Sequence, residues 1–249
     1  MNGQLLISRE AGVCEVRFNR PEKRNALTAA MYTALAQGLR AAQADEAVRA
    51  VLLSGEGAGF CAGNDLQEFL ASQFTAQHPV MELLRTLAIF GKPLVAAVHG
   101  QAVGIGVTML LHCDLVVATR TAQLSMPFVA LGLVPEAASS LLLPRLVGNQ
   151  RAAELLLLGR PLDAASAHAL GLVNRVVEEA ALLDEARQLA SELARQPASA
   201  LQATRRLLRG DPAPLLARIE EEARIFGALL ESEEFRERIR GFLARGRGS

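Results

Sequence analysis

The sequence carries no excess of either charge: 26 basic side chains face 26 acidic ones, for a formal net charge of zero. A chain so balanced raises no field that gathers nucleic acid or anionic lipid, although a local basic spot for phosphates stays open. Cysteine is scarce. Cys14, Cys61 and Cys113 are odd in number and far apart, with no CxxC or Cys/His spacing. That argues against a disulfide framework and against a metal site, and favours plain thiols in a reducing compartment. Residues 1–10 lack the basic-then-apolar order of a signal peptide, and no apolar run approaches the ~20 residues that span a bilayer. A cytoplasmic protein that engages neither membrane nor nucleic acid is the expectation. What the chain does have is apolar mass. Just over half of its 249 residues are hydrophobic, enough for a sizeable core.

Periodicity places the elements. Residues 4–9 lead through Ala11-Gly12 to Cys14, Val16 and Phe18, which alternate with Glu15 and Arg17 as a half-buried strand does. Residues 19–25 are polar, contain Pro21 and read as a loop. Thr28 can cap a helix whose apolar stripe is Met31, Leu35, Leu39 and Ala42. Short apolar runs at 50–53, 94–98 and 115–118 read as buried strands, with helices expected from about residue 65, at 79–89 and at 107–112. Strand–helix alternation of this kind implies crossovers and a largely parallel sheet, an α/β fold. Beyond residue 147 the pattern becomes helical at 152–158, 164–170, 182–196, 199–208, 215–230 and 233–243. We therefore expect a core over residues 1–190 and a helical region over 191–249.

Two glycine-rich segments follow buried strands and open helices: Gly63-Asn64-Asp65 and Gly104-Ile105-Gly106. A helix start leaves backbone N–H groups without partners, and two of them converging would bind an anion or an oxyanion. Ordinary turn glycines, with Asp65 as a helix cap, are the other reading. Neither segment fits the GxGxxG or GxxxxGK[ST] phosphate fingerprints.

The combination is more telling than its parts. Arg20-Pro21-Glu22-Lys23-Arg24-Asn25-Ala26-Leu27, Phe60-Cys61-Ala62-Gly63-Asn64-Asp65-Leu66, His99-Gly100-Gln101-Ala102-Val103-Gly104-Ile105-Gly106 and Cys113-Asp114-Leu115 stand in an order and spacing that resemble the enoyl-CoA hydratase/isomerase (crotonase) superfamily. The resemblance covers nearly the whole chain. It implies a spiral of ββα units with a helical C-terminal trimerisation region, a homotrimer or homohexamer, and an acyl-CoA substrate. By motif position, the backbone N–H groups of Asn64 and Ile105 would form the oxyanion hole. Ala26, Ala62, Gly63, Asp65 and Leu66 would line the CoA path. Lys23 or Arg24 would approach the phosphates, or else be a solvated loop charge. No metal or redox cofactor is implied, since CoA arrives with the substrate.

Hydratases of this family use two glutamates, and the matching positions here are Thr108 and Phe128. Neither can act as a carboxylate base, which disfavours hydration. A carboxylate stands instead in Leu133-Val134-Pro135-Glu136-Ala137-Ala138-Ser139-Ser140, a segment similar to that of the Δ3,Δ2-enoyl-CoA isomerases of the peroxisomal type. Glu136 is the one charged residue in 121–144, so desolvation would raise its pKa toward about 6 to 7, suited to a base. A turn glutamate capping a helix that begins near Ser139 is the plainer reading. Ser139 and Ser140 would cap that helix or touch substrate. His99 and His112 read as structural, and Cys61 as packing. Other activities stay open: an aryl-CoA epoxide isomerase of a phenylacetate-type pathway, suggested also by the 143–148 segment, a hydratase-like enzyme, a dehalogenase, or a silent acyl-CoA-binding protein. Acyl shape would be set by residues 67–85.

Overall fold

Runs of apolar residues too short for helices build the sheet that carries this molecule. The computed structural model describes residues 3–71 and 74–246, the side chains of 242–246 excepted. Of the segment expected to set acyl shape, residues 72 and 73 lie outside the described residues.

Strands β1 (Leu5–Glu10) and β2 (Val13–Phe18) form the expected hairpin, followed by helix α1 (Ala29–Ala44). Thr28 caps α1 by accepting the Met31 N–H at 3.2 Å, and Met31, Leu35, Leu39 and Ala42 are buried as their spacing predicts. Strand β3 (Ala50–Gly55) leads to helices α2 (Leu66–Ala71) and α3 (Pro79–Ile89). Strands β4 (Leu94–Val98) and β5 (Gln101–Val103) lead to the one-turn helix α4 (Ile105–Thr108). Strands β6 (Leu115–Thr119) and β7 (Gln123–Ser125) precede α5 (Ser139–Val147). Two strands and then helix: the ββα unit recurs.

The larger sheet has the order β1-β2-β3-β4-β6-β9, parallel from β2 onward, where β9 (Arg175–Val177) follows α6 (Asn149–Leu158), β8 (Leu162–Asp163) and α7 (Ala164–Ala169). Both faces are covered, which is why its strands read as unbroken apolar runs. Val51, Leu53, Ala96 and Val98 face the main core. Ala50, Leu52, Val95 and Ala97 alternate with them and meet Leu182, Ala186, Leu189 and Ala190 of α8 (Leu182–Arg195). The boundary drawn after residue 190 thus falls inside α8, a helix that packs on the sheet.

The smaller sheet, β5-β7-β8, is not foreshadowed by the sequence pattern, and neither is β9. Strands of two or three residues are too short to display an alternation. Helices α9 (Ala198–Arg209), α10 (Ala213–Leu230) and α11 (Glu233–Gly246) complete the helical C-terminal region. Helix α9 is tied to the core by Arg205 and Arg209, which both reach Asp114 just before β6. Helix α10 packs on α3, and α11 lies over the turn at 129–131 with Phe235 buried beneath it.

Candidate active site

The two glycine loops emerge beside each other after β3 and β4, and their backbones are laced together. The Cys61 N–H donates to Gln101 O at 3.1 Å, and the Val103 N–H donates back to Cys61 O at 2.9 Å. Gly104 has φ +55° and ψ −117°, a conformation glycine alone enters readily. Gly106 answers to a different demand. A Cβ there would lie 2.5 Å from Cys61 O, so only a residue without one lets the loops close up.

This lacing leaves two N–H groups available. Ile105 opens α4 and so has no intrahelical acceptor. Among the described residues, neither its N–H nor that of Asn64 has a hydrogen-bond acceptor. Asn64 and Ile105 both line a cavity of about 970 Å³ with Ala62, Gly63 and Leu66, between walls that include Phe69, Phe128 and Phe226. The volume suits a sizeable organic ligand. An anionic oxygen placed between the two N–H groups would be stabilised by both.

Other candidates stand outside that cavity. Lys23 is exposed at the end of a short turn, and the Ala26 carbonyl accepts from Arg20 Nη1 at 3.0 Å. Their loop nevertheless runs along the cavity wall, because the Ala62 N–H donates to Arg24 O and the Leu27 N–H to Gly63 O. Asp65 is engaged elsewhere. Its carboxylate pairs with Arg20 at 2.7 Å and accepts the N–H groups of Gln67 and Glu68, capping α2.

Glu136 lies on the loop before α5 and is 7 % exposed. It borders a small inner recess that shares Asn64, Phe69 and Phe226 with the main cavity. Its Oε1 accepts from Thr108 Oγ1 at 2.5 Å, while Oε2 is buried without a partner among the described residues. Burial pushes its pKa up to about 8; the Thr108 hydrogen bond pulls the other way, and the charge of Glu222 adds to the rise. That exceeds the shift expected from composition alone, because the carboxyl is fully enclosed and a second carboxylate stands nearby. No other carboxylate borders the recess among the described residues. Glu234 and Glu237 line the main cavity, but from exposed positions on α11.

Neither Glu136 nor its following serines cap α5 as the plainer reading supposed. Ala138 occupies the cap position with φ 55°, and Ser139 Oγ donates to Glu136 O at 2.6 Å. Ser140 Oγ donates to Glu222 on α10. His99 and His112 are structural, bonded through Nε2 to Gly57 O and Ala137 O. Cys61 is fully enclosed, and burial pushes its thiol up to about 12, which leaves it inert near neutrality.

Sequence reasoning missed Tyr32. It is the chain's one tyrosine, fully buried on α1, and its hydroxyl donates to Asn64 Oδ1 at 2.5 Å. A buried tyrosine needs such a partner, yet nothing local in the sequence names Asn64, 32 residues away. The Asn64 side chain is therefore a structural acceptor, besides any role of its N–H. Asn64→Ala should cost about 1–3 kcal/mol of stability by stranding a buried hydroxyl. Tyr32→Phe added to it should restore most of that loss. Denaturant unfolding of the single and double variants reads this directly, and strictly additive losses would refute the pairing.

The comparisons agree with this geometry. The model of the enoyl-CoA hydratase/isomerase family matches residues 8–248. The 1,2-epoxyphenylacetyl-CoA isomerase of Escherichia coli (strain K12) is 36% identical over 245 residues, covering 95% of this chain and 94% of that one. The 2,3-dehydroadipyl-CoA hydratase of the same organism is also 36% identical, covering 96% and 95%. The crystal structure of an enoyl-CoA hydratase/isomerase from Pseudoalteromonas atlantica T6c superposes with a TM-score of 0.93 at 41% identity, covering 97% of each chain. Laced glycine loops, two available N–H groups and a match over nearly the whole length lead to one conclusion: this chain belongs to the enoyl-CoA hydratase/isomerase family.

Proposed function

We propose that the protein shifts the double bond of a 3-enoyl-CoA to the 2-position, with Glu136 as its single base. The observation that carries this reading is the recess, where one buried carboxyl has an oxygen without a partner among the described residues; by the family resemblance, Thr108 and Phe128 take the places of a hydratase's glutamates. The Escherichia coli isomerase and hydratase are equally identical to this chain, so the reaction is argued from the site. Adding water calls for a second group to activate it. Moving one proton along the acyl chain does not.

In the proposed cycle, the Glu136 carboxylate removes a proton from C2. The C–H electron pair becomes part of a dienolate, whose negative charge rests on the thioester oxygen between the Asn64 and Ile105 N–H groups. One such donor is typically worth about 3 kcal/mol. The protonated Glu136 then delivers the proton to C4, the C2–C3 double bond forms, and the thioester carbonyl is restored. Every electron pair returns to the substrate, so the cycle calls on no oxidant or metal, and the CoA moiety enters with the acyl group.

A second reading, isomerisation of an aryl-CoA epoxide, draws on the rings of Phe69, Phe74 and Phe226, whose centroids lie 5.4–6.0 Å apart beside the recess. Incubating the purified protein with 3-hexenoyl-CoA, 2-hexenoyl-CoA and an aryl-CoA epoxide separates the readings. Fastest turnover on the linear 3-enoyl ester supports the first; turnover of the aryl epoxide alone replaces it with the second.

We propose further that the chain assembles as a homotrimer or a dimer of trimers. Leu207 and Leu208 on α9 are 85% and 83% exposed, which suits a face covered by another copy. Sedimentation as a monomer at micromolar concentration would remove this proposal.

A further inference from the structure

Glu222 stands where a folding argument alone would not put a carboxylate. It belongs to the buried face of α10, with Leu215, Ile219 and Phe226, and is only 4% exposed. Both oxygens are engaged by the segment that follows Glu136. Oε2 accepts the Ala138 N–H at 2.7 Å, while Oε1 accepts the Ser140 N–H at 3.1 Å and Ser140 Oγ at 2.5 Å. One turn earlier on α10, Arg218 Nη1 donates to the same Ser140 Oγ at 3.1 Å.

The segment so held is strained. Ala137 and Ala138 have φ of 63° and 55°, two successive left-handed residues that carry a Cβ. L-residues adopt that conformation only at an energetic cost, so something must hold them there. The strain sits directly after the base. Two further anchors bracket it: His112 Nε2 donates to Ala137 O at 2.8 Å, and the Ser139 N–H donates to Glu136 O at 3.1 Å. These fix carbonyls, whereas Glu222 gathers the N–H groups at the start of α5.

We propose that Glu222, aided by Arg218 through their shared partner Ser140, is a positioning residue that holds the left-handed turn after Glu136 and so aims the base into the recess. Helix α10 thereby reaches into the chemistry of the core. The proposal rests on the reading of Glu136 as base. Four groups approach Glu136 from the elements packed around it: Tyr32 of α1, Cys61 of the first glycine loop, Thr108 of α4 and Glu222. Among these Glu222 alone is an acid whose charge is held by donors: burial raises its pKa, the hydrogen bonds from Ser140 and Ala138 oppose that, and its charge favours the protonated form of Glu136. Geometry and charge can therefore be separated by substitution.

Glu222→Gln keeps the shape but sets an amide donor against N–H groups and removes the charge. The expected result is a kcat about 10- to 100-fold lower, with KM within about twofold of the wild type. The midpoint of the pH–rate profile should fall by about half to one unit, because a repelling charge has gone. Glu222→Asp keeps the charge with a shorter reach, so its kcat should fall while the midpoint stays near that of the wild type. A second readout is independent of turnover. Glutamate labelled with ¹³C at its carboxyl allows Glu136 to be titrated by NMR, its resonance identified by its loss in Glu136→Gln. The same downward shift should appear there in Glu222→Gln even if 3-enoyl-CoA proves not to be the substrate. Folded Glu222→Gln with wild-type kcat, KM and Glu136 midpoint overturns the proposal. Should Glu222→Gln fail to fold, Arg218→Ala decides. It loses the bond to Ser140 and an exposed ion pair with Glu221 one turn along the helix; a lowered kcat at unchanged KM supports the proposal, whereas wild-type kinetics overturn it. If the wild type turns over none of the esters, a crystal structure of Glu222→Gln decides, or of Arg218→Ala if Glu222→Gln is unfolded. Ala137 and Ala138 out of the left-handed region with Glu136 moved from the recess uphold the proposal, and an unmoved turn ends it.

Discussion

Replacing Glu136 with glutamine should lower turnover of 3-hexenoyl-CoA by about 10²–10⁴-fold while binding of acyl-CoA stays within a few fold. Glutamine matches glutamate in shape but cannot take a proton, and Glu136 is the carboxyl of the inner recess. The same reasoning predicts the pH dependence of the wild type. With the pKa pushed to about 8, most of the free enzyme holds a protonated Glu136 at neutral pH. Since the base must be ionised to act, kcat/KM should climb with pH and level off above about 8. Stability should move the opposite way. The folded-state pKa of about 8 lies above the ordinary 4.5, so the stability contributed by the neutral carboxyl is fully present below 4.5 and lost as pH rises through 8. Glu136→Gln escapes that loss. Its melting temperature should exceed that of the wild type more at about pH 9 than at about pH 4, by about 2–4 °C for each kcal/mol recovered. An equal difference at both pH values would contradict the assignment of a buried, proton-holding base.

The second large effect is expected at Gly106. An alanine Cβ would meet Cys61 O at 2.5 Å and Cys61 Cβ at 3.0 Å. The Cys61 carbonyl is not free to retreat, because it accepts the Val103 N–H that laces the loops together. The loops must part instead, and with them the N–H groups of Asn64 and Ile105. Misplacing one such donor costs about 10²–10³ in kcat. The loss should fall on kcat rather than on KM, since the donors matter most once charge has developed on the oxygen. Stopped-flow kinetics with a parallel melting curve distinguish this from unfolding. A folded Gly106→Ala with more than half the wild-type rate would mean that the laced loops do not form the oxyanion site.

Much of this was legible in the sequence, for reasons that also mark its limits. The strands at 50–55, 94–98 and 115–119 declare themselves because both faces of the sheet are covered and apolar residues dominate them. Helix α1 declares itself through one cap and one stripe. The glycine loops are legible because close backbone approach admits a single residue type, as at Gly106. What stayed hidden is long-range. Tyr32 meets Asn64 across 32 residues, and Glu222 meets Ser140 across 82. No periodicity encodes such pairs; Glu222 reads as an ordinary acidic residue at the margin of an apolar helix face. Ser139 and Ser140 misled for a related reason. Serine before a helix suggests a cap, but here the strained Ala138 takes the position and a distant carboxylate supplies the acceptor. For Asp65 the structure shows the helix cap, its carboxylate being occupied by Arg20 and the start of α2.

In the proposed reaction one buried carboxyl carries one proton from C2 to C4. That transfer is tested most directly by giving the wild-type protein 3-hexenoyl-CoA deuterated at C2, in ordinary water, and analysing the product by mass spectrometry and NMR. The expected product is 2-hexenoyl-CoA with deuterium at C4, since Glu136 is enclosed and returns the deuteron before solvent replaces it. A product with water added, or one whose C4 carries only solvent hydrogen, would contradict that transfer.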